Sequence, residues 1–449
     1  MRGAASVFSD EAFRIIDVRG RMILDSRGDP TVEAEVVTEG GGVGRAAAPA
    51  GASRGRHEAV ELRDEGRAWA GRGVERAVNV INSVIAPALI GLDSRKQREI
   101  DALLCKLDGT HEKRILGGNS IVAVSLAVAK AAAATAGLPL YRYLGGPGAY
   151  VMPVPLLNII NGGAHAGNEL SFQEFMIVPV GADSFREAMR IAVEVYKALR
   201  RLLIEKYGKM AVNVGDEGGF APPMRENREA LSALVDATKR AGYEPGVDVV
   251  YALDVAASQF YNEERGVYIV DGKELDREKM IEYLVSILDE FPVRSVEDPL
   301  YEEDFEGFAV FTREASKRGV LVVGDDLYTT NPERLERGIR VGATTAVLVK
   351  VNQIGTLTEA LEVVNMAHRA GMRAIISHRS GETEDTTIAH LAVGLGTGLI
   401  KTGAPARGER TAKYNELLRI EEELGGEAFY PGETVLRPGE PLRYPSLLG

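Results

Sequence analysis

The 449-residue chain is 45% hydrophobic with a formal net charge of −12; it can fill a large core, and its overall sign argues against a nucleic-acid or anionic-membrane surface. Its single cysteine, Cys105, excludes an intrachain disulfide and fits a reducing cytoplasm. No stretch approaches about 20 uninterrupted apolar residues, so no membrane span is expected, and residues 1–13 lack the apolar core of a signal peptide.

In chain order, residues 15–24, the alternating 31–36 and 43–48 predict a small antiparallel meander, with Gly40-Gly41-Gly42 as a turn. Residues 50–55 are small and glycine-rich, open to reading as a lid or as a linker. Helices follow. Val74, Ala77, Val78, Ile81, Val84 and Ile85 share one helical face, as do Ile100, Leu103, Leu104 and Leu107, and residues 122–136 read as a buried helix.

From about Tyr150 short apolar runs alternate with amphipathic helical stretches. Eight strands are predicted, at 154–160, 172–180, 249–254, 293–297, 321–325, 346–350, 373–377 and 398–402. The pattern is that of a closed parallel β/α barrel with its active groups at the C-terminal strand ends. No helix separates the first two strands, and two helices, 184–206 and 227–241, follow them, so the barrel opens with a ββαα unit. The expected fold is a smaller N-terminal α+β domain (1–149) and an eight-stranded TIM-like α/β barrel (150–449).

Six consecutive strands end in chemistry: Asp254, Glu297, Asp325, Lys350, His378-Arg379-Ser380 and Lys401. Any one of these acids alone is more often a helix cap or a salt-bridge partner. Three acids converging on one mouth repel unless a cation lies between them, and an all-oxygen set suits Mg²⁺ better than Zn²⁺. A lysine in an apolar strand environment beside other cations has its ammonium form disfavoured, which makes Lys350 a candidate base; the plainer reading is a salt bridge to Asp325. His165 lies in a glycine-rich loop with Gln173 and Glu174 after it, and Glu217 sits in Gly215-Asp216-Glu217-Gly218-Gly219, where glycines permit close backbone approach to a ligand.

The strings Asn161–Gly167, Gln173-Glu174-Phe175-Met176, Gly215–Gly219, Val296-Glu297-Asp298-Pro299, Gly324-Asp325-Asp326-Leu327, the run from Lys350 to Thr356, Ser377–Thr383 and Ile400–Pro405 resemble, in order and over nearly the whole chain, those of the enolase family. The resemblance implies a cytoplasmic glycolytic lyase, a homo-oligomer (dimer or octamer), that dehydrates the small phosphorylated acid 2-phosphoglycerate to phosphoenolpyruvate, with no nucleic-acid partner. It implies two Mg²⁺ per site, the first on Asp254, Glu297 and Asp325, the second closed over by Ser53 from the lid. Lys350 would be the base and Glu217 the acid, supported by Glu174. Lys401 would bind the substrate carboxylate and Arg379 and Ser380 its phosphate. His165, Gln173 and His378 would line the pocket, and Glu174, Glu297, Asp325 and Lys350 would also face the substrate. Ala50 and Arg54 depart from the usual lid residues. An acid-sugar enzyme of the same superfamily would need no phosphate clamp, and a binding protein on this body would need no complete catalytic set.

Overall fold

The computed structural model describes residues 10–52 and 55–441; Ser53 and Arg54, and the chain ends beyond, lie outside the described residues. Strands β1 (Ile15–Leu24), β2 (Pro30–Thr38) and β3 (Val43–Ala47) form an antiparallel sheet in the order β1-β2-β3. Across it lies the helix Gly118–Thr135. The contact is close because Gly44 has no side chain: a Cβ there would stand 2.0 Å from the carbonyl oxygen of Ala127. That helix is long and apolar enough to cross a membrane by composition alone, yet 89% of it is buried against the rest of the protein.

The eight predicted strands close into a barrel. They are β4 (Val154–Asn161), β5 (Glu174–Val178), β6 (Val250–Asp254), then, after a hairpin of β7 (Tyr261–Asn262), β8 (Val267–Val270) and β9 (Lys273–Leu275), β10 (Val293–Glu297), β11 (Leu321–Gly324), β12 (Ala346–Val349), β13 (Arg373–Ser377) and β14 (Leu399–Lys401). Most of their residues are buried, as strands covered on both faces require. β11 and β12 stop one residue short of the predicted ends, so Asp325 and Lys350 stand just past the last strand residue.

The barrel is not all-parallel, as the strand count alone suggests. β5 runs antiparallel to both β4 and β6. The cause is the missing crossover: a parallel return needs a helix-length connection, and residues 162–173 supply only a single 3₁₀ turn, Gly163–His165. The start of β5 therefore lies at the mouth, level with the ends of its neighbours, and Glu174 pairs in register with Asp254. β5 carries the chain to the base. The helix Phe185–Tyr207 returns it to the mouth, and Asn227–Arg240 takes it down again to begin β6. The connection between those helices, which holds Glu217, is thereby delivered to the same rim.

The hairpin β7–β9 was not visible in the sequence, because strands of two to four residues show no alternation. Val84 departs from its predicted face: Ile81–Ile85 is a π-helical turn, whose wider spacing rotates Val84 to 42% exposure.

Candidate active site

The mouth holds a small pocket lined by Gly51, His165, Gln173, Glu174, Glu217, Asp254, Lys350, Ser377, His378, Arg379, Ser380 and Lys401. Ten of the candidate residues thus meet on one space. Glu297 and Asp325 stand directly behind it, bonded to the two lysines. Ser53 lies outside the described residues.

Lys401, buried at the end of β14, gathers the acids of three strands. Its Nζ is 3.0 Å from Asp254 Oδ2, 2.8 Å from Glu297 Oε2 and 3.3 Å from Glu174 Oε1. Burial opposes its charge, but these acids prevail and hold its pKa well above the usual lysine value. Lys350 bonds Asp325 Oδ2, the salt bridge expected as its plainer reading, and the expectation of a disfavoured ammonium needs correcting. Burial and the nearby Arg379 and Lys401 do work against the ammonium, but Asp325 outweighs them and the pKa of Lys350 is raised, not lowered. In this resting geometry Lys350 is a cation.

The three acids expected to share a metal do not form a closed triad: Asp254 and Glu297 converge on Lys401, and Asp325 on Lys350. Among the described residues, the groups whose possible ligand atoms all lie within 4.8 Å of one another are Asp298, Asp325 and Asp326, and His165, Glu174 and Glu217. Asp298 spends both carboxylate oxygens on backbone, accepting from the amides of Asp325 (2.9 Å) and Asp326 (2.7 Å), which suits it to shaping the turn and not to binding an ion. The charge balance still calls for a cation. Glu174, Glu217, Asp254, Glu297 and Asp325 are buried around two ammonium groups, Lys350 and Lys401, and burial and Asp254 push Glu297 well above the usual carboxylate range. An all-oxygen donor set short of positive charge fits a hard divalent ion.

On the other side, Glu217 Oε2 accepts from Asn158 Nδ2 at 3.1 Å and faces His378 Nε2 at 3.3 Å. His165 Nδ1 lies 3.7 Å from Glu174 and 3.8 Å from Glu217. The two glutamates titrate as a pair. Burial and the neighbouring Glu217 push Glu174 far above its usual value. Burial would raise Glu217 too, but its contact with His378 and the nearby Arg410 guanidinium reverse the sign and hold it well below. The two shifts thus run in opposite directions, Glu174 up and Glu217 down. Both imidazoles are driven neutral by burial, His378 down to about 3.

The glycines around Glu217 are steric necessities. A Cβ on Gly219 would stand 1.9 Å from Asn161 Oδ1, and one on Gly215 would stand 2.4 Å from the carbonyl oxygen of His165. Gly219→Ala is therefore expected to destabilise the protein by about 1–3 kcal/mol and to displace Glu217. Denaturant unfolding measures the first effect; an unchanged midpoint together with unchanged turnover would contradict the packing described.

The phosphate-clamp candidates are both engaged by the segment flanking residues 53–54. Arg379 makes a two-pronged ion pair with Glu58, at 2.9 and 3.1 Å, and Ser380 Oγ accepts from the amide of Ala52 at 2.6 Å. Ala50 and Gly381 exchange a pair of 2.8 Å backbone bonds. Glu58 and Asn158 were not singled out from the sequence, and Asp298 stood there only as part of a quoted string; Glu58 and Asn158 act through partners distant in the chain, and nothing local marks them.

Comparison with known proteins gives two family-model matches: residues 15–144 to "Enolase, N-terminal domain" and residues 149–438 to "Enolase, C-terminal TIM barrel domain". The chain is 59% identical over 424 residues to an enolase of Pyrococcus furiosus, covering 94% of this chain and 98% of that one. It is also 59% identical over 416 residues to an enolase of Methanocaldococcus jannaschii, covering 93% and 97%, and 58% identical over 429 residues to one of Thermococcus gammatolerans, covering 96% and 99%.

Proposed function

The chain belongs to the enolase family and carries out its reaction, the reversible dehydration of 2-phosphoglycerate to phosphoenolpyruvate, and from that premise we propose how its own residues divide the work. Lys350 is the base that removes the α-proton, and Glu217 is the acid that protonates the departing hydroxide. The observation that carries this assignment is that Lys350, from the end of β12, and Glu217, from the helix–helix connection, reach one cavity from separate elements.

Before it can act, Lys350 must give up its proton and loosen its bond to Asp325. Glu217 must carry a proton at that step, and Glu174, within 4.8 Å and with its pKa raised by burial and by Glu217, is the acid beside it. Lys401 orients the substrate carboxylate. Arg379 and Ser380 receive the phosphate, exchanging their contacts with Glu58 and Ala52 for it. His165 and Gln173, whose Nε2 donates to Asp254 at 3.2 Å, complete the wall, and Glu174, Glu297, Asp325 and Lys350 face the substrate with them.

Enolases depend on Mg²⁺. We assign two ions per site, one on Asp254, Glu297 and Asp325 and a second to which Ser53 closes. Bound there, the ions supply the positive charge that a doubly deprotonated carboxylate requires. The adjacent phosphate ligands Arg379 and Ser380 favour this reading over an acid-sugar enzyme. We further assign domains 1–149 and 150–449, a cytoplasmic location, in keeping with the lone Cys105, and a homo-oligomeric state, dimer or octamer. The direct test is the absorbance of phosphoenolpyruvate formed from 2-phosphoglycerate; no product with Mg²⁺ present would refute the assignment.

A further inference from the structure

His378 and Glu217 meet deep in the site, and the group behind His378 decides how its ring can act. Arg410, the largest of the fully buried side chains, reaches it from the helix Gly408–Leu424. Its Nη1 lies 2.6 Å from His378 Nδ1 and 2.6 Å from the carbonyl oxygen of Arg379. Its Nη2 donates to the carbonyl of Asp216 at 3.0 Å and also to that of Ser380. A guanidinium has five donors and no acceptor, and it keeps its charge in proteins. His378 Nδ1 must therefore meet it with a lone pair. The ring's one proton is then on Nε2, which faces Glu217 Oε2 at 3.3 Å and has no well-formed hydrogen bond to the described residues.

We propose that Arg410 is a positioning residue that locks His378 in the Nε2–H tautomer, so that His378 only donates on the Glu217 side of the substrate and never accepts a proton there. At rest the donor faces Glu217 Oε2. When the hydroxyl group leaves as water, the same N–H is free to turn to the departing oxygen. A base at this position would compete with the hydroxyl for the proton of Glu217; the lock removes that competitor. The same guanidinium binds carbonyls of residues 216, 379 and 380, so the loop of the acid and the loop of the phosphate clamp are tied to one cation.

The catalytic consequence rests on the proposed role of Glu217; the tautomer does not. Neutron diffraction from deuterium-exchanged crystals of the wild-type enzyme should show deuterium on His378 Nε2 and none on Nδ1. Deuterium on Nδ1 would overturn the proposal. Arg410→Met removes the donors and Arg410→Lys keeps a donor-only cation. The Met variant should lose roughly ten- to a hundredfold in dehydration while α-proton exchange falls by less than about threefold, and Lys should restore part of the loss. Equal losses in both reactions, or no rescue by Lys, would make Arg410 a structural strut and refute the proposal. An error in the Glu217 assignment would appear differently, as absent exchange in Glu217→Gln with the neutron result unchanged.

Discussion

Glu217→Gln should nearly abolish dehydration while leaving exchange of the substrate α-proton with deuterated solvent in place. The amide keeps the size of the side chain and its contact with Asn158 Nδ2 through the carbonyl oxygen, but it has no proton to give to hydroxide. Lys350 and Lys401 are untouched, because both bond to acids on the other strands. The carbanion should form, wait and return, picking up deuterium. Lys350→Ala should lose both reactions, since the other lysine of the pocket, Lys401, is held as a cation by Asp254, Glu174 and Glu297. Each loss should be on the order of a hundredfold or more, the usual worth of a positioned acid or base. Deuterium incorporation into recovered 2-phosphoglycerate, followed by NMR, reads the difference. Normal exchange in Lys350→Ala with none in Glu217→Gln would mean the two roles are reversed.

Chelation should be as severe. EDTA is expected to remove activity completely and Mg²⁺ to restore it, because the buried acids outnumber the lysines that face them. Asp325→Asn should lose at least about a hundredfold in turnover and require much more Mg²⁺. It should remain folded. The turn after β11 is held by Asp298 through the backbone amides of residues 325 and 326, which the substitution leaves alone. Circular dichroism checks the fold and a Mg²⁺ titration of activity checks the site. Full turnover in metal-free buffer would remove the basis for any metal at these acids.

Much of this architecture was legible because the barrel writes itself plainly. Strands buried on both faces read as unbroken apolar runs, and charged residues that interrupt them, such as Asp325 after Leu321–Gly324, mark the rim. The ββαα opening was legible too, but its consequence for strand direction was not drawn until β5 was seen running against its neighbours. For Lys350 the sequence offered both a lowered pKa and a salt bridge to Asp325, but not their balance, which depends on how closely the preceding strand brings that aspartate alongside. Arg410 and Glu58 were invisible for a related reason. Arg410 is 32 residues from His378 and Glu58 is 321 from Arg379, so only the folded chain makes either pair.

The reversed strand also bears on how this barrel tolerates change in length. Connections that leave the rim between parallel strands carry a helix along the outside before the chain returns, and in the one after β6 the β7–β9 hairpin is inserted ahead of that helix. Residues 162–173 begin and end at the same rim, between the close of β4 and the start of β5. They behave as the tip of a hairpin. An insertion at the exposed Gly167 is expected to extend outward while the bonds of Asn168 to the carbonyls of Asn161 and Pro222, and of Phe172 to Asn227, stay in place. There a lineage, or an engineer, can add recognition elements over the substrate.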